Sequence, residues 1–157
     1  MCNTESWRTQ DGRGITAVAL ASRFWGLGCP KIFHEVATRL RETPGLNQVL
    51  QSIKDYLADA KRPFNLDLHL DGTPFQHRVW QALQAIPAGE TLTYSALAEQ
   101  IGSGARAVGN ACRANPCPLV VPCHRVVAVN GLGGFAGERC GKKLEIKRWL
   151  LRHEEGL

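Results

Sequence analysis

A chain of 157 residues, 44% hydrophobic and 21% charged, has the composition of one soluble globular domain or of a small domain packed on another. No apolar run approaches the roughly 20 residues that span a bilayer, and the polar start, residues 1–14, lacks a signal peptide's apolar core; no membrane role and a cytoplasmic location are expected. Of 19 Lys/Arg and 14 Asp/Glu, residues 1–104 hold ten of each, so nine and four remain for residues 105–157 and the whole +5 excess lies there, which favours a polyanionic partner.

Taken in order, residues 15–20 read as a short strand, and Gly26 to Pro30 as a break. Residues 31–41 and 46–60 read as helices. In the second, Leu46, Val49, Leu50, Ile53 and Leu57 keep a 3.6-residue period. Leu66, Leu68 and Leu70 alternate with Asp67, His69 and Asp71, the signature of a half-buried strand. Residues 1–71 therefore look like a small α/β domain without a catalytic constellation; His34 and His69 read as structural or solvated.

After the Asp71-Gly72 turn, Thr73, Pro74 and Gln76 supply an N-cap, a first-turn proline and a capping box for a helix. Phe75, Val79, Leu83 and Ile86 line one face, Trp80 reads as core, and Pro87-Ala88-Gly89 ends the helix. Thr93 caps a second helix, broken by Gly102-Ser103-Gly104, and residues 105–114 form a third. The last two have helix-turn-helix dimensions, although plain structural hairpins share them. Ala105, Ala107, Gly109 and Ala111 keep the third helix nearly free of bulk on one side, while Arg106 and Arg113 supply charge. A major-groove reader needs long polar side chains; small residues suit either a shallow minor groove or a tight helix contact.

Residues 115–127 then read Asn-Pro-Cys-Pro-Leu-Val-Val-Pro-Cys-His-Arg-Val-Val. The apolar runs 119–121 and 126–129 are expected to be buried, with pairing stopped at Pro122. Between them lie Cys123, His124 and Arg125. A lone buried cysteine is ordinarily a small hydrophobe, but a cationic or hydrogen-bonding neighbourhood lowers a thiol pKa and makes thiolate available. The six cysteines (2, 29, 112, 117, 123, 140) are scattered and expected to be free thiols. A zinc site at Cys112, Cys117, Cys123 and His124 lacks a Cys-x-x-Cys knuckle, so no metal is expected. The glycine-rich stretch 130–137 lacks the Gly-Lys-Ser/Thr ending of a P-loop. Residues 144–153 read as the last helix, with Trp149 and Leu150 packing inward, followed by Glu154.

Pro122-Cys123-His124-Arg125-Val126, with Asn115-Pro116 upstream, resembles the active-site motif of the O6-alkylguanine-DNA alkyltransferases, and the likeness extends from about Thr73 to Glu154. The resemblance implies an α/β fold: a small N-terminal α/β (RNase H-like) domain over 1–71, then a mostly helical domain with a helix-turn-helix over 72–157. It implies irreversible transfer of an alkyl group from O6-alkylguanine, and from O4-alkylthymine, to Cys123 after base flipping, one protein molecule per lesion. It assigns Ala105, Ala107 and Gly109 to the minor groove, Arg106 to the space of the extruded base, Arg113 to DNA, and Tyr94 to rotation of the nucleotide and protonation of guanine N3. His124, oriented by Glu154 and acting through a water, would take the Cys123 proton, and Asn115 would fix the reactive turn. Val126 (through its carbonyl), Phe135, Ala136 and Gly137 would wall the base pocket. Phe135 and Ala136 stand where many relatives have Tyr and Ser, and residues 138–143 look like an insertion. No cofactor is implied, and the partner is double-stranded DNA bound by a monomer. A Cys-His-Glu hydrolase or transferase acting on a small molecule, and a helix-turn-helix regulator with an inert Cys123, are the rival readings.

Overall fold

The computed structural model describes residues 7–8, 44–66 and 68–156. The strand at 15–20, the break at 26–30, the helix at 31–41, Cys2, Cys29 and His34 lie outside them, and the RNase H-like reading of residues 1–71 rests on those segments. The chain divides into two compact units, Met1–Asp71 and Gly72–Leu157. Helices and strands are mixed.

In the first unit, β1 (Trp7–Arg8) precedes α1 (Pro44–Ala58). The helix starts two residues earlier than the apolar period suggests, on a proline whose missing N–H costs nothing in a first turn. Val49, Ile53 and Tyr56 fall on one face and are buried, and Tyr56 meets Phe64 with ring centroids 5.3 Å apart. β2 (His69–Leu70) pairs antiparallel with β1, Trp7 opposite Leu70 and Arg8 opposite His69. The alternation at 66–71 suggests a longer strand, but only two residues on each side make the ladder among those described.

The second unit opens as its sequence dictates. The hydroxyl of Thr73 accepts from Gln76 N (3.2 Å), and Gln76 Oε1 accepts from Thr73 N (2.8 Å), closing the capping box of α2 (Pro74–Gln84). Val79, Trp80 and Leu83 bury completely, and the Trp80 indole N–H donates to Ala111 O at 3.1 Å. Gly72 has to be glycine: a Cβ there would lie 2.7 Å from the Trp80 ring. β3 (Leu92–Thr93) runs straight into α3 (Tyr94–Gln100), capped by the Thr93 hydroxyl. A four-residue turn with Gly102 at φ +64° joins α3 to α4 (Ala105–Arg113), which packs on α3 and α2.

The reactive stretch differs from its expected form. Residues 119–121 are not a strand; Leu119 adopts φ +85°, and the segment is an irregular turn. Cys123–Arg125 form a single 3-10 turn leading into β4 (Val126–Val127), which pairs in parallel with β3, Leu92 opposite Val126. Val129, expected inside, is 74% exposed, because the pairing ends after two residues and releases the chain to solvent. The last helix is α5 (Lys142–Glu155), capped by Gly156 in the left-handed region. Leu150 packs inward as expected, whereas Trp149 points outward and stacks on His153 at 4.9 Å. The inward positions are Lys147, Leu150 and Glu154, spaced i, i+3, i+7, and Trp149 falls off that face. No described helix is long and apolar enough to cross a membrane.

Candidate active site

Cys123 owes its position to Asn115. That buried amide donates to Val121 O at 2.8 Å and accepts from Cys117 N at 3.0 Å, tying both limbs of the 115–121 turn together. Cys123 N in turn donates to Val121 O at 2.8 Å. The thiol that results is only 4% exposed. Burial pushes its pKa up, opposed by a hydrogen bond from Asn115, the charge of Lys147 and its own backbone N–H. The neighbouring His124 and Arg125, expected to lower it, are engaged elsewhere.

Both turn to Glu154 on α5. His124 Nε2 and Glu154 Oε1 lie 2.8 Å apart; Arg125 places Nη2 2.8 Å from Oε1 and Nε 2.9 Å from Oε2, and its Nη1 donates to Ile86 O. Burial alone would raise the Glu154 pKa, but the bonds from His124 and Arg125 outweigh it and hold the carboxyl well below the usual range. Burial lowers the His124 pKa against the pull of Glu154. A neutral imidazole donating Nε2–H to this carboxylate leaves Nδ1 as the base, and Nδ1 is buried without a protein partner. Gly89, at φ +85°, also donates to Glu154 Oε2 at 3.4 Å, and a Cβ there would meet Glu154 O at 3.0 Å.

Lys147 is the residue the sequence does not advertise. It is fully buried and donates to the carbonyls of Val126 (2.6 Å), Leu132 (2.6 Å) and Gly134 (3.0 Å). Burial lowers its pKa to about 8, with Cys123 and Cys112 pulling the other way. In a basic helix it reads as a solvated charge; the available signal was its place on the face shared with Leu150 and Glu154. The Tyr94 ring centroid lies 5.9 Å from its Nζ, and Tyr94 OH donates to the same Gly134 carbonyl at 3.3 Å. Burial, then the nearby Cys112 and Cys123, raise the Tyr94 pKa to about 12.

Two of these groups, Cys123 and Tyr94, open onto a cavity of about 1000 Å³. Tyr94 and Cys123 line it together with Ala105, Arg106, Gly109 and Arg113 of α4. The opposite lining includes Phe135, Ala136 and Gly137, as expected of the glycine-rich stretch, together with the unassigned Cys112. Phe135 and Glu138 exchange two backbone hydrogen bonds, and Ala136 sits at φ +47°, with its carbonyl accepting from Lys143 Nζ at 3.3 Å. Four expected residues do not line the cavity: Ala107, Asn115, His124 and Glu154. Nor does Val126, and its carbonyl, expected to read a base amine, accepts from Lys147 instead. Among the described residues no group of three His, Cys, Asp or Glu is placed to hold a metal, and Cys112, Cys117, Cys123 and Cys140 are free thiols.

Residues 74–156, which carry every one of these cavity and carboxylate contacts, match the family described as 6-O-methylguanine DNA methyltransferase, DNA binding domain. Over 120 residues the chain is 45% identical to the constitutive methylated-DNA–protein-cysteine methyltransferase of Bacillus subtilis, covering 74% of this chain and 70% of that protein. Over 92 residues it is 53% identical to the methylated-DNA–protein-cysteine methyltransferase of Salmonella typhimurium, spanning 57% of this chain and about half, 51%, of that one. The solved structure of Mycobacterium tuberculosis OGT in complex with DNA is similar at a TM-score of 0.64 and 40% identity, over 71% of this chain and 66% of that chain. With the family model matched over 74–156 and a relative 45% identical over 70% of its own length, the chain that buries this thiol beside a carboxylate-bound histidine belongs to the 6-O-methylguanine DNA methyltransferase family.

Proposed function

We propose that this protein repairs alkylated DNA by direct reversal, moving the alkyl group from O6 of guanine, and from O4 of thymine, onto Cys123 for good. One observation carries the reading: the buried Cys123 thiol opens into a cavity whose rim is the small-residue, arginine-bearing face of α4. The target oxygen lies inside a duplex, so the nucleotide has to leave the stack, at a cost of a few kcal/mol. In this reading Ala105, Ala107 and Gly109 let α4 approach the minor groove and Arg113 adds charge. Arg106 fills the gap and Tyr94 guides the nucleotide outward, with α3 and α4 acting as a helix-turn-helix.

The chemistry follows from the proton inventory. The Cys123 S–H proton passes to His124 Nδ1, directly or through a water, and Glu154 holds the imidazolium that forms. The thiolate attacks the sp3 carbon, the S–C bond forms, and the C–O6 bond breaks with its electron pair going to the base. Tyr94 returns a proton to guanine N3. Phe135, Ala136 and Gly137 wall the base, Val126 backs them through its bond to Lys147, and Asn115 holds the reactive turn. Residues 72–157 perform this work, and residues 1–71 form a separate RNase H-like domain. The protein acts in the cytoplasm as a monomer on double-stranded DNA and needs no cofactor.

Intact mass after incubation with excess duplex containing O6-methylguanine tests the reading. A single methyl on Cys123, and then no further reaction, is expected. Repeated turnover, or steady hydrolysis of a chromogenic ester, would replace it with the hydrolase reading; DNA binding without any adduct would leave a regulator.

A further inference from the structure

The cavity has a second cationic edge that base flipping does not use. Besides Arg106 and Arg113 of α4, its lining includes Arg139, from the segment between β4 and α5, and Arg148, from α5. All four are exposed, and none makes an ion pair with any described residue. Glu145, one turn before Arg148 on the same helix, leaves it unpaired. The carboxylate in the lining, Glu138, is taken by Lys143 at 2.9 Å.

The Arg139 stem also passes near Gly134. Its Cγ would lie 3.8 Å from a Cβ built on Gly134, the residue whose carbonyl receives both Tyr94 OH and Lys147 Nζ. Gly134 and Arg139 both line the cavity. Unpaired arginines at the edge of a cavity are suited to phosphate oxygens, which accept their planar fork bidentately.

We propose that Arg139 and Arg148 bind phosphates of the DNA backbone on the loop side of the cavity. The duplex flanking the extruded nucleotide is then gripped by two edges, α4 and the 137–148 segment. This inference rests on the DNA-repair reading above.

The test is the affinity of the full chain for an unmodified fluorescent duplex across a series of salt concentrations. Each phosphate contact contributes a slope of about 0.9 in log K against log salt, so R139A/R148A should lower the slope by about 1.8. R139K/R148K should keep most of it. Transfer from free O6-benzylguanine, which carries no phosphate, should fall less in the alanine variant than transfer from damaged duplex. An unchanged salt slope would overturn the proposal, and so would equal losses with free base and duplex, which would place both arginines in the base pocket. If the wild type transferred alkyl from neither substrate, the repair reading itself would fall, while the salt slope would still report on the two arginines.

Discussion

Arg125 forks onto both carboxylate oxygens of Glu154, Nη2 to Oε1 at 2.8 Å and Nε to Oε2 at 2.9 Å. The same carboxylate holds His124, so one residue of the last helix anchors two consecutive residues of the reactive turn. The arginine does no chemistry in this arrangement, yet it fixes the group that orients the base.

Arg125→Ala should consequently act as a stability mutation first. It strips a fully buried carboxylate of its bidentate partner, a class of change that costs about 3–5 kcal/mol. Arg125→Lys, unable to span both oxygens, should recover only part. Urea midpoints of the three proteins give the comparison, and near-equal midpoints would show the fork to be incidental.

Acid should unfold the protein in two stages. The His124 pKa is lowered on folding, so below its ordinary value of 6.5 the unfolded chain binds a proton that the native one refuses, and stability starts to fall. The Glu154 pKa is also lowered, so its contribution is present above the ordinary carboxylate value of 4.5 and is lost as pH drops through the folded value. Denaturation midpoints measured from pH 7 to pH 3 should decline over both windows. His124→Gln should flatten the first window, and a first window that survives in that variant would assign it to other groups.

Lys147→Met removes a buried cation and leaves the carbonyls of Val126, Leu132 and Gly134 without its donors. Gly134 O keeps the Tyr94 hydroxyl, while the other two acceptors lose this donor at about 1–3 kcal/mol each, offset in part by relief of the ammonium's own burial. The positive charge that favours the Cys123 thiolate is lost as well. Transfer should slow, and its rate–pH profile should shift to higher pH. A uniform slowing with no shift would confine Lys147 to holding the wall.

Much of the second unit was written plainly in the sequence. The Thr73–Gln76 capping box, the buried Trp80 and the glycine break after α3 each follow from a short local rule, and local rules survive folding. The misses share another cause. Val129 and Trp149 read as buried from their apolarity and are exposed, the run 119–121 buries Val120 and Val121 as expected but as an irregular turn, and Lys147 on the inner face of α5 is not singled out at all. These outcomes depend on contacts the local apolar pattern does not carry: the Asn115 amide that folds the 115–121 turn, the β3–β4 ladder that ends before Val129, and the three carbonyls that receive Lys147. The Cys123-His124-Glu154 grouping was legible only because a known motif supplied the long-range contact. Arg125 stood inside that motif, and its side chain's destination was not encoded nearby.

Ala136 offers a test of the cavity wall. It lines the cavity at φ +47°, and its methyl offers no hydrogen bond to the alkylated oxygen that the proposed reading places there. One added hydrogen bond is worth roughly 0.5–1.5 kcal/mol, so Ala136→Ser should speed transfer by about two- to ten-fold, for methyl and benzyl lesions alike. An unchanged or lower single-turnover rate would mean that this side chain faces away from the oxygen.

Asn115 has a consequence for how the reaction proceeds in time. Its two bonds lock the turn that carries Leu119 at φ +85°, and Cys123 hangs from the same Val121 carbonyl. Advancing the Cys123 backbone would mean breaking buried hydrogen bonds, so on the proposed reading the nucleophile's segment stays put and the alkyl carbon does the travelling. Differences in rate among lesions then arise in delivery, from how readily each swollen base leaves the helix and seats itself, with the attacking atom a fixed target common to all of them.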